Sequence, residues 1–421
     1  MAGMAMQRTP GQIQQSLFAL TARGIKYDLD RISAAAQCID NPQNGCPAFH
    51  VAGTNGKGST CVYIESILRH AGYSTGLFTS PHLVKFEERF RINGTIIETG
   101  EWVEVFHHLE QYIAEYHLTF FEATMLMAAE LFRRRKVDWA VYETGLGGRL
   151  DATNILTPRV AVITRVAMDH REYLGDTLAE VFGEKLGIVK ETVPLVIAEP
   201  KEPELHRMAE MTTAGRRAPC TFIAADGIKS AELSGGGVSF VHDGTGYTTR
   251  LTGNYQVENA LLAIAAIKQA QIGVSLKQLQ TGIAEASLPG RFQRIAVGNK
   301  TVILDVAHNP AAAAELCTTL RSTFPDSPIC MVTGIMADKE YGTMLTTYTE
   351  VARHIILTKP DTARAASARM LAEHLSPDRY SIVEGVGEAV RSALLRDETV
   401  VCVTGSFFTV GEAITGLELD L

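Results

Sequence analysis

The sequence predicts an α/β protein with two domains, the first larger than the second. Two observations support this: strand-like runs alternate with helix-like stretches along the chain, and a second alternating pattern begins after a break near Pro289-Gly290. Such alternation favours βαβ units around a mostly parallel sheet. A chain of 421 residues is long enough for two or three domains, each with its own core. We place the boundary at about residue 295, giving domains of residues 1–295 and 296–421.

In the N-terminal domain, residues 11–46 mix polar and apolar positions, and we expect a short helical segment there. The pattern then sharpens into a strand at 48–52, a glycine loop at 53–59 and a helix at 60–70. Residues 230–251 are short β segments broken by glycine, which predicts antiparallel hairpins, and a helix at 257–270 follows. The other predicted elements of this domain are strands at 75–79, 139–143, 159–166 and 194–198 and helices at 121–135 and 178–189.

The C-terminal domain shows a second alternating pattern after the break. Its predicted strands are at 301–306, 329–333, 355–357, 382–383 and 400–404. We therefore expect a second, smaller α/β sheet.

Composition excludes several classes of protein. Hydrophobic residues make up 46% of the chain, which is too high for a disordered protein. A net charge of −8, from 39 basic and 47 acidic residues, argues against a general binder of nucleic acid or of an anionic membrane. No apolar run approaches the roughly 20 residues of a membrane span, and the first residues lack a secretory pattern. The seven cysteines are scattered and never spaced as CxxC, so we expect reduced thiols in the cytoplasm.

The glycine loop has the chemistry of a phosphate-binding loop. Residues 51–60 read VAGTNGKGST and join a predicted strand to a predicted helix. Small residues let backbone N–H groups converge on an anion, the helix N-terminus adds partial positive charge, and Lys57 adds a full one. The strict pattern GxxxxGK[ST] is not met, because Val51 replaces its first glycine and Gly58 separates Lys57 from Ser59. An ordinary strand-to-helix turn is the alternative, and the lysine among small residues favours a nucleotide.

Two acid-bearing segments should lie beside this loop. Glu143 ends one apolar strand and Asp169-His170 follows another, and the carboxyl ends of parallel strands share one edge of a sheet. Oxygen ligands at that edge suit the Mg²⁺ of a magnesium nucleotide. The alternatives are a cap or surface ion pair for Glu143 and a core histidine for His170, since histidine is an uncommon Mg²⁺ ligand. Composition alone gives Lys185 no role beyond that of a solvated helix lysine.

Taken together, these segments resemble the folylpolyglutamate synthase/dihydrofolate synthase family, a branch of the ATP-dependent Mur-type amide ligases. The matching stretches follow the family's order across nearly the whole chain. They are NPQ (41–43), HVAGTNGKGST (50–60), TSPHL (79–83), ERFRING (88–94), FFEATM (120–125), ETGLGGRLDATN (143–154), DHREYLG (169–175), EKLGIVKE (184–191), LPGRFQ (288–293), LDVAHNP (304–310), DKEY (338–341) and GSFFTVGEA (405–413).

The resemblance implies a P-loop-type nucleotide domain followed by a Rossmann-like glutamate ligase domain. It also implies two Mg²⁺ ions, with Ser80, Glu143 and His170 as metal ligands. Lys185 is expected to be carbamylated, which would make it an oxygen ligand of the second ion. The residues implied at the other sites are Gly56, Lys57, Gly58, Ser59, Asn259, Arg291 and Asp305 for the nucleotide, Phe121, Glu122, Leu150, Asp151 and Ala152 for the pterin-bearing substrate, and Lys57, Lys185 and His308 for catalysis.

The expected activity is an ATP-dependent ligation of L-glutamate to dihydropteroate, to reduced folates, or to both, through an acyl phosphate. We expect a monomer that binds neither nucleic acid nor membrane. A muramyl-peptide-type ligase, a P-loop phosphotransferase that forms no amide, and a paralogue that only binds folate are the alternatives. Two positions depart from the family pattern: Tyr255 stands where histidine is usual, and Val306 where glycine is usual.

Overall fold

The computed structural model describes residues 8–24, 28–225, 227–233 and 236–419. The helices within these ranges are α1 (Pro10–Ala19), α2 (Asp30–Gln37), α3 (Lys57–His70), α4 (Thr99–Glu115), α5 (Phe120–Arg135), α6 (Arg171–Leu174), α7 (Leu178–Leu186), α8 (Pro203–Gly215), α9 (Tyr255–Gln269), α10 (Leu276–Glu285), α11 (Pro310–Thr323), α12 (Tyr341–Thr349), α13 (Ala368–Ala372), α14 (Val386–Leu394) and α15 (Phe407–Gly416). The strands are β1 (Ala48–Ala52), β2 (Thr75–Phe78), β3 (Phe90–Ile92), β4 (Thr95–Ile96), β5 (Trp139–Glu143), β6 (Val160–Ile163), β7 (Leu195–Ala198), β8 (Cys220–Ile223), β9 (Ser230–Glu232), β10 (Val238–His242), β11 (Thr245–Thr249), β12 (Gln293–Val297), β13 (Lys300–Leu304), β14 (Ile329–Thr333), β15 (Ala352–Leu357), β16 (Tyr380–Ile382) and β17 (Val400–Thr404).

The first sheet places the phosphate-loop strand at its centre. Its order is β4-β3-β2-β5-β1-β6-β7-β8, and β1 pairs in parallel with both β5 and β6. Only the pairings of β3 and β4 are antiparallel. Because β1, β5 and β6 run in the same direction, the glycine loop, Glu143 and Asp169-His170 all leave the sheet at one edge. The predicted mostly parallel sheet is confirmed.

Helix α3 is held almost entirely inside the N-terminal domain. Residues 58–68 of this helix are buried, and its apolar side chains pack with those of α9 in one core cluster. A second core cluster lies on the other face of the sheet, where α4 and α5 pack. The two covered faces explain why β1 and β5 are buried at every position.

The antiparallel part predicted at residues 230–251 is a small three-stranded sheet of order β11-β10-β9. The C-terminal sheet has the order β12-β13-β17-β14-β15-β16, and only β12 runs antiparallel to its neighbour. The boundary predicted at residue 295 falls inside β12, which pairs with β13 along its full length. We propose that the division between the domains lies slightly earlier, in residues 286–292, between α10 and β12.

Several element boundaries differ from the sequence prediction for local physical reasons. Helix α3 begins at Lys57, because Gly56 adopts a left-handed conformation with φ of 91° and turns the chain into the helix there. The helical segment predicted at 11–46 contains two helices, α1 and α2, and residues 25–27 between them lie outside the described ranges. The edge strand β8 was not predicted, since its partly exposed residues show no clear apolar pattern. No helix in the described part of the chain is long and apolar enough to cross a membrane.

Candidate functional site

The glycine loop forms a tight cradle at the N-terminus of α3. Gly53 and Gly56 have φ values of 145° and 91°, which residues with a side chain rarely adopt. A Cβ atom at Gly53 would collide with the Thr164 hydroxyl, and one at Gly56 would collide with the Asn259 amide. Glycine is therefore required at both positions by backbone conformation and by space. The first residues of α3 therefore line the cleft, where the N-terminus of a helix offers backbone N–H groups that have no partner within the helix.

The Lys57 ammonium lies folded back over this cradle. Its Nζ donates to the carbonyl oxygens of Gly53 and Thr54, at 3.3 and 3.2 Å. Both acceptors belong to the loop itself, so the charge is held where an anion in the cradle would meet it.

Glu143 lies beside the cradle at the end of β5. It is buried, with 4% of its surface exposed, and one carboxylate oxygen accepts a hydrogen bond of 3.0 Å from the Ser80 backbone N–H. Burial raises the pKa of Glu143, against the opposing effects of Lys57, the Ser80 N–H, Arg291 and Arg89. Both of its oxygens lie 3.7 Å from the position that a Cβ would take at Gly58. Glu143, Ser80 and the first turn of α3 thus share one wall of the cleft.

Asp169 is the centre of a cluster that joins the two domains. Lys339 and Asn309 of the C-terminal domain donate to it at 2.5 and 3.1 Å, and His308 Nε2 lies 3.4 Å away. Burial alone would raise the pKa of Asp169, but the hydrogen bond and charge of His308 and the charges of His170 and Lys339 lower it well below its usual value. The neighbouring His170 is held neutral, because burial lowers its pKa to about 4.

Lys185 is an almost fully buried lysine below the glycine loop. Only 2% of it is exposed, and its Nζ donates to the Gly53 carbonyl oxygen at 3.0 Å. Burial, together with the charge of Lys57, lowers its pKa to about 7. A large fraction of this amine is therefore neutral near pH 7, unlike the solvated helix lysine that composition alone predicted.

The C-terminal domain closes the cleft from the opposite side. Asp305 accepts hydrogen bonds of 2.8 Å from the backbone N–H groups of both Phe292 and Ala307. Arg291 lies over the Phe407 ring, 5.2 Å from its centroid, and His308 Nδ1 lies 3.0 Å from the Val306 carbonyl oxygen. Since a carbonyl only accepts, His308 Nδ1 carries a proton and its Nε2 faces Asp169.

Between these walls lies a cavity of about 370 Å³. It brings together every residue predicted for the nucleotide, for the metal and for catalysis. Those lining residues are Gly56, Lys57, Gly58, Ser59, Ser80, Glu143, His170, Lys185, Asn259, Arg291, Asp305 and His308. Tyr255 and Val306, the two departures from the family pattern, also line it.

The five predicted substrate residues do not line this cavity. Phe121 packs against Gly145, where an added Cβ would lie 2.5 Å from its ring. Glu122 caps α5 by accepting from the Thr119 N–H at 2.7 Å, and it also accepts from Arg31 at 3.3 Å. Asp151 and Ala152 are buried behind the loop that follows Glu143, and Leu150 is partly exposed. These residues form a second region, separated from the cavity by residues 145–147.

The side chains around the cavity suit a magnesium ion that is shared with phosphate. Among the described residues, no three of His, Cys, Asp and Glu converge on one point as a preformed metal site. Glu143 nevertheless offers a buried carboxylate next to the cradle, and Ser80, whose backbone N–H donates to that carboxylate, also lines the cavity. Mg²⁺ commonly takes one or two protein oxygens, with phosphate oxygens and water completing its shell. The donors present fit that mode of binding.

Sequence reasoning missed the contacts that fasten the two domains together. Lys339 lies in the DKEY stretch, to which the sequence assigns no role beyond the family resemblance. Asn55 and Asn309 exchange amide hydrogen bonds of 3.3 and 3.0 Å across the domains. Arg165 joins Glu258 of the N-terminal domain to Glu315 of the C-terminal domain. The DKEY and AHNP stretches were the available signals, but only the tertiary structure shows what they contact.

Comparison with known proteins matches both parts of the chain. Residues 51–267 match the Mur ligase middle domain, and residues 290–407 match the Mur ligase glutamate ligase domain. The chain is 33% identical to the dihydrofolate synthase/folylpolyglutamate synthase of Escherichia coli (strain K12), over 94% of this chain and 92% of that protein. It belongs to the folylpolyglutamate synthase/dihydrofolate synthase family of Mur ligases. It is therefore an ATP-dependent ligase, and the family and enzyme class predicted from the motifs are confirmed.

Solved structures of this family share the whole fold. The Mycobacterium tuberculosis folylpolyglutamate synthase complexed with ADP and AMPPCP has a TM-score of 0.89 and 28% identity, covering 98% of this chain and 100% of that one. The Yersinia pestis bifunctional folylpolyglutamate synthase/dihydrofolate synthase complexed with AMPPNP and a Mn ion has a TM-score of 0.88 and 32% identity, covering 100% of both. The predicted fold class is confirmed.

Proposed function

We propose that this ligase adds L-glutamate both to dihydropteroate and to the glutamate tail of reduced folates. The main support is the convergence of the glycine loop, Glu143 and the C-terminal domain on one cavity. Relatives named for both activities match nearly the whole chain, which supports a bifunctional enzyme.

In the proposed reaction, ATP transfers its γ-phosphoryl group to the substrate carboxylate. The acyl phosphate that results is attacked by the amine of glutamate, so that an amide forms and phosphate leaves. Lys57 and the N–H groups at the start of α3 bind the phosphates, and Arg291 adds positive charge from the connection between the domains. Asn259 and Asp305 complete the nucleotide site, and His308 orients groups at the domain interface. Catalysis is then mainly positioning and charge neutralisation.

We propose Ser80, Glu143 and His170 as the protein ligands of the divalent cation, and Lys185, once carbamylated, as a ligand of a second one. A bound Mg²⁺ would neutralise phosphate charge during the transfer. The neutral fraction of Lys185 near pH 7 supports carbamylation, because only an unprotonated amine reacts with CO₂. Intact-mass spectrometry in bicarbonate buffer tests this, and a Lys185→Arg variant should lack the added mass.

For the pterin-bearing substrate, we propose the region around Phe121, Glu122, Leu150, Asp151 and Ala152. It lies on the other side of residues 145–147 from the cavity, so a substrate bound there would reach the cradle past that segment. We further propose that the enzyme acts as a monomer in the cytoplasm. Its seven cysteines are all unpaired, which supports a reducing compartment.

An ATP-consumption assay tests the function directly. Dihydropteroate and tetrahydrofolate are offered separately, each with and without glutamate, and both should support glutamate-dependent release of phosphate. Consumption with only one acceptor would show a monofunctional enzyme. Consumption that no glutamate or folate stimulates, with no hydroxamate trapped by hydroxylamine, would indicate a phosphotransferase. Ligation to a muramyl acceptor only would indicate the other branch of the Mur ligases.

A further inference from the structure

His50 is a fully buried histidine to which the proposed reaction assigns no role. It lies on β1, three residues before Gly53, with none of its surface exposed. Its Nε2 lies 2.7 Å from the Thr153 hydroxyl oxygen, and its Nδ1 is buried and has no hydrogen-bond partner among the residues that the structure describes. Burying a polar ring with one nitrogen unpaired costs free energy, so a histidine at this position of the central strand needs an explanation.

The contact continues from Thr153 to Asp151. The Thr153 hydroxyl donates to Asp151 Oδ1 at 2.5 Å, and the Thr153 backbone N–H donates to the same oxygen at 3.0 Å. Since that hydroxyl has one proton and gives it to the carboxylate, it must accept from His50. His50 is therefore the neutral form with its proton on Nε2, and burial lowers its pKa to about 3, in agreement with a neutral ring.

The other oxygen of Asp151 holds the wall of the cavity. Asp151 Oδ2 accepts from the backbone N–H groups of Gly145 and Leu146, at 2.9 and 2.8 Å. Both of these residues line the cavity, two and three positions after Glu143. On its other side, Gly145 is pressed against the Phe121 ring. A displacement of the Asp151 carboxylate would thus move the segment that separates the cavity from the proposed substrate region.

We propose that His50 is a positioning residue that acts through Thr153 to fix the Asp151 carboxylate and the Gly145-Leu146 backbone for the pterin-bearing substrate. This inference rests on the proposed function for the identity of that substrate. Each hydrogen bond in this series has a defined donor and acceptor. His50 donates to Thr153, Thr153 donates to Asp151, and Asp151 accepts from the backbone of residues 145–146. The nucleotide cradle lies outside this chain of contacts.

Paired variants of His50 test the proposal. His50→Leu removes the donor at similar volume, and His50→Gln offers an amide N–H in its place. We expect His50→Leu to raise the KM for dihydropteroate about tenfold, the size of one lost hydrogen bond, with the KM for ATP changed less than about twofold. His50→Gln should restore most of the affinity. Equal changes in both KM values, or no rescue by glutamine, would overturn the proposal.

Two further measurements separate this role from stability and from the identity of the substrate. Phe49→Leu changes the adjacent core residue on β1 and should lower stability without a selective change in the KM for dihydropteroate. Hydrogen exchange of the peptide that spans residues 145–151 needs no turnover, and it should accelerate in His50→Leu and in Thr153→Val but not in Phe49→Leu. If the wild-type enzyme ligates no folate, the proposed function fails and the exchange result still decides the positioning role. Unchanged exchange in His50→Leu would refute that role.

Discussion

Asp169 and Lys339 form an ion pair of 2.5 Å that joins the N-terminal domain to the C-terminal one, and both side chains are more than nine-tenths buried. Asp169 lies beyond β6 and beside His170, while Lys339 lies in the loop between β14 and α12. Charges from both halves of the sequence thus meet at the interface beside the cleft.

Breaking this pair should open the cleft. Lys339→Met removes the closest cation from a buried carboxylate, a change that costs about 3 kcal/mol or more when a partner charge is lost. We expect the rate of glutamate-dependent ATP consumption to fall at least about tenfold, and small-angle X-ray scattering to show a larger radius of gyration. Lys359→Met, at an exposed position of the same domain, is the matched control. Normal turnover in the Lys339 variant would show that the pair does not control closure.

Lys57 should be indispensable for phosphoryl transfer. Lys57→Ala removes the only full charge carried by the loop of residues 53–59, and we expect a loss of about a hundredfold or more in glutamate-dependent ATP hydrolysis. The fold should survive, because within the described part of the chain the ammonium donates its hydrogen bonds to carbonyl oxygens of its own loop. Circular dichroism checks the fold, and Lys277→Ala on the exposed face of α10 is the control. Near-normal turnover of Lys57→Ala would remove the basis for a phosphate cradle here.

Glu143 should set the requirement for magnesium. Glu143→Gln keeps an oxygen that can accept from the Ser80 N–H but removes the negative charge. We expect the Mg²⁺ concentration for half-maximal activity to rise about tenfold or more, since a neutral amide is a weaker ligand for a hard cation. Titration of activity with Mg²⁺ measures this, with the exposed Glu172→Gln as the control. An unchanged magnesium requirement would place the cation elsewhere.

His50 should make the enzyme sensitive to acid. Its pKa is lowered from 6.5 to about 3 by burial, so between these values the unfolded chain binds a proton that the folded chain does not. By linkage, stability is lost as pH falls through this window, with a slope of about 1.4 kcal/mol per pH unit for one group. The free energy of unfolding, measured with urea, should therefore fall less steeply between pH 6 and pH 4 in His50→Gln than in the wild type. The difference in slope should be up to about 1.4 kcal/mol per pH unit. Parallel curves for the two proteins would contradict a neutral buried His50.

Sequence reasoning predicted most of the architecture because its signals are local. The alternation around residues 48–70 and the apolar run before Glu143 specify strands and helices without reference to the rest of the chain. Parallel pairing then requires that strand ends meet, which is why Lys57, Glu143 and His170 could be expected at one edge. The start of α3 was missed by three residues, because a left-handed glycine rather than apolar spacing determines where that helix begins.

The sequence by itself determined the two α/β sheets and the family, and it pointed to part of the cavity lining, since each of these follows from a motif or a periodic pattern. The tertiary structure alone decided which of those side chains meet. Asp169 with Lys339, Asn55 with Asn309, and His50 with Thr153 are separated by about a hundred residues or more, and no local signal encodes such contacts. The physical reason is burial: a buried polar group is stabilised when it meets a partner, and only the folded chain determines which partner is within reach.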